Sequence, residues 1–155
     1  MSEEKDDFND RAVEEFRQNI QKLYAWVKKW LKGLVFKKVS VDIYEEYAVP
    51  YKISELYIYQ EDMFLCKIKP VGAHIIAADG RADLVGKKSK LSLVFFKEVS
   101  VNTESHNTET DRQTLYEGYE GAGWYVSWGK RKISLLSGEH FLKAMEQVSG
   151  YKYSR

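Results

Sequence analysis

Between Asp10 and Leu34 the apolar residues Val13, Phe16, Ile20, Leu23, Val27, Trp30 and Leu34 recur at alternating steps of three and four. Only a helix returns such positions to one face, so the stretch predicts an amphipathic helix. In heptad notation Val13, Ile20, Val27 and Leu34 take a, Phe16, Leu23 and Trp30 take d, and Tyr24 and Leu31 fall at e. Adding e widens the stripe beyond a coiled-coil seam and suits a helix lying on a sheet or bundle. Glu14, Glu15, Gln18, Gln21, Lys22, Lys28, Lys29 and Lys32 form the solvated face, Asn9 or Asp10 caps the start, and Gly33 sits near the stop. Each stripe residue contributes roughly 1.5–3 kcal/mol on burial before entropy is subtracted, so undocking this helix is expected to unfold the chain. Acids precede it and fill its first turns, while Arg17, Lys22, Lys28, Lys29, Lys32, Lys37 and Lys38 follow, the order that the helix dipole favours. The basic end beside Trp26 and Trp30 also suits contact with an anionic partner.

After the helix the period changes from 3.6 to 2. Val39, Val41 and Ile43 alternate with Ser40, Asp42 and Tyr44 over Lys37–Tyr47, a half-buried strand that Pro50 ends. Leu56–Tyr59 and Met63–Lys69 flank Gln60, Glu61 and Asp62 as a hairpin. His74–Ala78 reads as a short strand, Asp79 and Gly80 as a turn, and Arg81–Val85 and Lys90–Phe96 as strands about Gly86–Ser89. In Lys90–Phe96, Leu91, Leu93 and Phe95 take one face and Val94 and Phe96 the other, which predicts a strand covered on both sides near the middle of a sheet. Val99–Val101 extends or edges that sheet. Asn102–Arg112 holds no apolar residue and reads as a mobile surface loop, with a lid or binding loop as its functional reading. Leu115–Tyr119, Trp124–Trp128 and Ile133–Leu136 read as strands, the last two joined by Gly129–Arg131, and Ser137 caps a second helix that ends at Gly150.

Connections this short imply antiparallel neighbours. The expected fold is α+β: a long N-terminal helix across a curved antiparallel sheet of six to eight strands, with a short C-terminal helix. A small closed barrel is the alternative. Residues 1–8 are read as a flexible acidic tail, 9–150 as a single domain and 151–155 as a tail. The layout resembles that of cystatin-like and nuclear-transport-factor-like folds, although no motif is shared and layout does not fix function.

Composition narrows function by exclusion. A net charge of +1 over 155 residues does not make a polyanion binder that works by bulk charge, although a local patch remains open. Cys66 is the single cysteine, so neither an intrachain disulfide nor a cysteine-based zinc site is expected, and its place in the alternating run Phe64, Cys66, Ile68 suits a core residue better than a nucleophile. No apolar run reaches the length of a membrane span or a signal segment, and the cytoplasm is the expected compartment. Gly118-Tyr-Glu-Gly121-Ala-Gly123 precedes a strand where a dinucleotide fingerprint needs a helix. Gly80–Lys88 and Gly123–Arg131 miss the phosphate-loop spacing and its Ser or Thr. Asp79, Asp83 and Glu98 lack the acid two residues before Lys90 or Lys97 that metal-dependent nucleases use. His74, His106 and His140 have no metal-binding spacing, and no cofactor is expected.

What remains is a set of basic turns, Lys87, Lys88 and Lys90 around one hairpin and Lys130, Arg131 and Lys132 around another, with Trp128 beside the second. If both turns share an edge of the sheet they form a cationic rim suited to a phosphate backbone or an acidic protein. The leading expectation is a non-catalytic binding or assembly protein, meeting a protein partner or a second copy through a sheet face or strand edge. Nucleic-acid binding through the basic turns is one alternative. An enzyme or small-ligand carrier with a pocket between the first helix and the sheet is another.

Overall fold

Helix α1 (Glu3–Trp30) carries the stripe. The structure, a computed structural model, describes residues 3–46, 48–73, 78–99 and 109–152, the side chains of residues 3–9 apart. The helix starts earlier than the expected cap and takes in most of the segment read as a tail. Leu31 and Leu34 remain buried beyond its end, where Gly33 adopts the left-handed conformation (φ 92°) that stops a helix.

Seven strands follow: β1 (Val35–Ile43), β2 (Tyr51–Gln60), β3 (Met63–Gly72), β4 (Gly80–Gly86), β5 (Lys90–Phe96), β6 (Gly123–Gly129) and β7 (Lys132–Leu135). Each pairs antiparallel with the next, so their order in space is their order in sequence and the sheet is curved and open. Helix α3 (Gly138–Ser149) closes the chain between the Ser137 cap, whose hydroxyl accepts from the His140 amide, and left-handed Gly150.

One face of the sheet lies under both long helices. Leu56, Ile58, Cys66, Ile68, Ala82, Leu84, Leu93 and Val126 are wholly buried there against Phe16, Ile20, Leu23, Val27 and Leu31 of α1 and Phe141, Ala144, Met145 and Val148 of α3. The e-position residues Tyr24 and Leu31 are as buried as the a and d residues, as expected of a helix on a sheet rather than in a coiled coil. Polar atoms tie the surfaces: Tyr24 Oη donates to Ser54 O at 2.6 Å, Trp124 Nε1 to Asn19 O at 3.1 Å, and Arg17 Nε to Lys52 O at 3.0 Å. Helix α3 docks more tightly still. The Lys88 and Ser89 amides donate to Val148 O at 2.9 and 3.2 Å, and a Cβ at Gly86 would lie 2.2 Å from that oxygen, so only glycine fits.

The opposite face is covered at one side only. Phe96, Tyr119, Tyr125 and Ile133 form a second cluster with Val94, Tyr116 and Leu135. Short helix α2 (Glu109–Leu115) is pinned beside it by Arg112, which is 2% exposed, donates to Lys97 O at 2.6 Å and Tyr119 Oη at 2.9 Å, pairs with Asp79 at 3.1 Å, and lies over the Phe96 ring. Three local readings change as a result. The end of the expected polar loop is helical, Asp79 serves as an ion-pair partner and an acceptor for the Lys97 amide, and Leu115–Tyr119 forms a single parallel bridge, Glu117 to Lys132, in place of a strand. The expected strands at His74–Ala78 and Val99–Val101, and most of the expected loop, fall largely outside the described residues.

Two expectations follow. Leu23→Ala in α1 costs about 2–5 kcal/mol of unfolding free energy, because its site is sealed on every side; urea denaturation measures this. Burial pushes the Cys66 thiol from 9.0 to about 12 and also raises the Tyr24, Tyr51 and Tyr125 phenols above 10.0. These groups hold protons more tightly folded than unfolded, so their stabilising contribution is complete below pH 9.0 and declines as the pH rises towards about 12. Thermal melts across that range are expected to show a falling midpoint, with no loss attributable to these groups at neutral pH.

Candidate functional site

The two edges of the sheet differ. At β7 the Glu117 amide donates to Arg131 O and the Ile133 amide donates to Glu117 O, both at 2.9 Å, so the 116–118 segment lies along that edge. The nine residues of β1 pair with β2 on one side, and no described strand pairs with the other. Of its residues only Ile43 is buried; Val35 is 50% exposed, and Lys37, Lys38, Ser40 and Asp42 face solvent. An uncovered edge of this length presents a row of backbone donors and acceptors to any extended chain.

Alternation sorts the side chains of β1. From Lys38 onward Lys38, Ser40 and Asp42 fall on one face and Val39 and Val41 on the other, while Phe36 and Val41 both reach the helix-covered core. Lys52 donates to Asp42 at 3.0 Å, a pair that solvent largely surrounds and that therefore holds Asp42 weakly. Lys38, Ser40 and Lys52 also line an open cleft of about 280 Å³ with Arg17, Gln21 and Tyr24 of α1. A second open cleft, about 240 Å³, lies by Trp26, Phe95, Gly123 and Trp124. The first cleft lies between α1 and the β1–β2 side of the sheet, where a pocket was expected, with the stripe residues Ile20 and Tyr24 and Ile53 of β2 also in its lining; elsewhere the stripe packs into the core described above.

Strand β5 offers no comparable surface. Leu91 and Leu93 are buried under the helices and Phe96 under Tyr116 and Tyr119, so the two apolar faces legible in its sequence are both satisfied within the chain. On the outer face the buried acids Glu55 and Asp83 each have a partner, Lys67 at 3.3 Å and Arg81 at 3.1 Å. Among the described residues no group of three His, Cys, Asp or Glu side chains could hold a metal ion. Cys66 is wholly buried, and His140 Nδ1 lies 2.8 Å from Leu135 O; His74 and His106 lie outside the described residues.

The sequence-predicted basic residues come together. The register Ser92↔Ser127 places Lys90 level with Gly129, so the β4–β5 turn with Lys87, Lys88 and Lys90 and the β6–β7 turn with Lys130, Arg131 and Lys132 leave the same end of the sheet. All six are exposed. The basic end of α1, with Lys28, Lys29 and Lys32, lies toward this end too, because β1 leaves the helix opposite Tyr59 near the β2–β3 turn. That turn brings Glu61 and Asp62 to the same end. Trp128 is half-buried, donates Nε1 to Ser134 Oγ at 2.8 Å and lies under Lys143 Nζ, so it supports the second turn rather than standing free.

Sequence reasoning missed the backbone of that turn. Between the paired Gly129 and Lys132, both tip residues have positive φ, 51° at Lys130 and 62° at Arg131. Positive φ at both central positions is the type I′ arrangement, which favours Asn-Gly. The left-handed region costs a residue with a Cβ roughly 1–2 kcal/mol. Nothing in a Lys-Arg pair announces this.

The chain matches no protein-family model, no curated protein and no solved structure. Among the described residues no helix is long and apolar enough to cross a membrane.

Proposed function

We propose that this protein is a non-catalytic assembly module whose sheet grows across the open edge of β1, and that the strand added is β1 of a second copy. The observation that carries the reading is the self-complementarity of that edge. A two-fold axis normal to a sheet keeps each face on its own side, so residues placed opposite each other must have the same parity. With Ser40 on the axis, Val39 faces Val41 of the second copy and Lys38 faces Asp42, each contact occurring twice. Centring on Val39 would instead oppose Phe36 with Asp42 and Lys38 with Ser40, matching no charge.

Charges on edge strands normally discourage pairing. A mixed pair four residues apart on one face has a different effect in antiparallel self-association, since each charge meets its opposite. Cross-strand pairs of this kind contribute about 0.2–1 kcal/mol each, and an interface built on one strand belongs to the weak, reversible class.

Sedimentation and light scattering over a concentration series test this. A monomer–dimer equilibrium is expected, and Lys38→Asp or Asp42→Lys alone sets like charges face to face and weakens the dimer roughly tenfold. The doubly swapped chain Lys38→Asp/Asp42→Lys recovers it, because both pairs are restored with reversed polarity. A chain that stays monomeric throughout, or single variants that dimerise as well as the parent, would overturn the proposal; in the first case the edge is left to an extended segment of another protein.

A further inference from the structure

We infer that the end of the sheet carrying the β4–β5 and β6–β7 turns binds a nucleic-acid phosphate backbone, and that the strained tip of the second turn keeps Lys130 and Arg131 for this purpose. This goes beyond assembly through β1 and uses a different part of the molecule. Three observations point the same way. Lys87, Lys88, Lys90, Lys130, Arg131 and Lys132 are exposed on two turns that leave one end of the sheet. Neighbouring strands lie about 4.7–4.9 Å apart, so the tips are strung in a line roughly 10 Å from one to the next. A line of cations matches a linear polyanion better than it matches a single phosphate, and none of the exposed large apolar side chains belongs to either tip, which disfavours insertion into lipid.

The third observation is conformational. Local preference at positions like Lys130 and Arg131, φ 51° and 62°, is for Asn and Gly, which would relieve the backbone. Two bulky cations stand there instead. Strain retained where an easier residue is available points to a demand made by something other than the fold. Three acids border the array: Glu61 and Asp62 belong to the β2–β3 turn, on the far side of the β4–β5 tip from the β6–β7 tip, and Glu117 lies along β7 beside Arg131 and Lys132, so the six cations outnumber the acids at this end two to one. Lys88 is held by its place at the end of α3, its chain lying against Gly150.

The variant Lys130→Asn/Arg131→Gly separates folding from binding. It relieves the turn, so the melting temperature is expected to rise by about 2–4 °C, while affinity for single- or double-stranded oligonucleotides falls. Two fewer phosphate contacts on duplex DNA also flatten the plot of log affinity against log salt by about 0.9 per contact. The control Lys69→Asn/Lys97→Asn removes the same charge from other parts of the surface and is expected to bind like the parent. All titrations use the 155-residue chain carrying Lys38→Asp, so that a failure of assembly through β1 and a failure of binding here are told apart. Equal losses in the tip variant and the control, no salt-dependent oligonucleotide binding, binding to phosphatidylserine vesicles in its place, or a tip variant that melts lower would each overturn the proposal.

Discussion

The contact between α1 and the sheet is the constraint on which the other features depend. A meander of seven antiparallel strands has no crossover helices to cover its faces, so its apolar side must be closed from outside. The stripe from Val13 to Leu34 does this together with α3, which covers β3 to β6. Nothing in that arrangement shields the edges. The aromatic cluster beneath Arg112 and the bridge at Glu117 attend to the β7 side, whereas no described segment pairs with the outer side of β1.

The same topology explains how a nearly neutral protein acquires a cationic end. In an antiparallel meander alternate turns leave the same end of the sheet, so residues 40 or more apart in sequence become neighbours when their turns have the same parity. Lys87–Lys90 and Lys130–Lys132 meet in this way. Helix α1 adds its own polarity, with acids in its first turns and lysines in its last, laid along the same direction. A net charge of +1 is thus the sum of separated charges.

Much of this was legible in the chain because it rests on local periodicity. The helical stripe, the two-faced pattern of Lys90–Phe96, the Ser137 cap and the Gly150 stop depend on residues close in sequence, and each reappears in the structure. Of strand β2 the sequence pattern shows only Leu56–Tyr59, because Tyr51, Ile53 and Glu55 mix apolar and charged groups that are buried for different reasons: Glu55 is held by Lys67 and Tyr57 from the outer face. Helix α2 is not legible in the sequence because Arg112, its buried residue, resembles any other charge in a polar run; its partners Asp79, Lys97 and Tyr119 come from three other segments. The candidate sites divide similarly. The basic turns were visible as residues, whereas their shared end depends on strand order, and the openness of β1 depends on what other segments fail to cover.

If β1 takes a further strand on association, hydrogen exchange of its backbone amides as a function of protein concentration reveals it. Alternate amides of β1 point away from β2, and no described strand bonds to them in the isolated chain. These amides are expected to exchange freely in dilute solution and gain protection as the concentration rises, while β7 amides keep the same protection throughout. Outward amides of β1 that exchange at one rate at every concentration would contradict it.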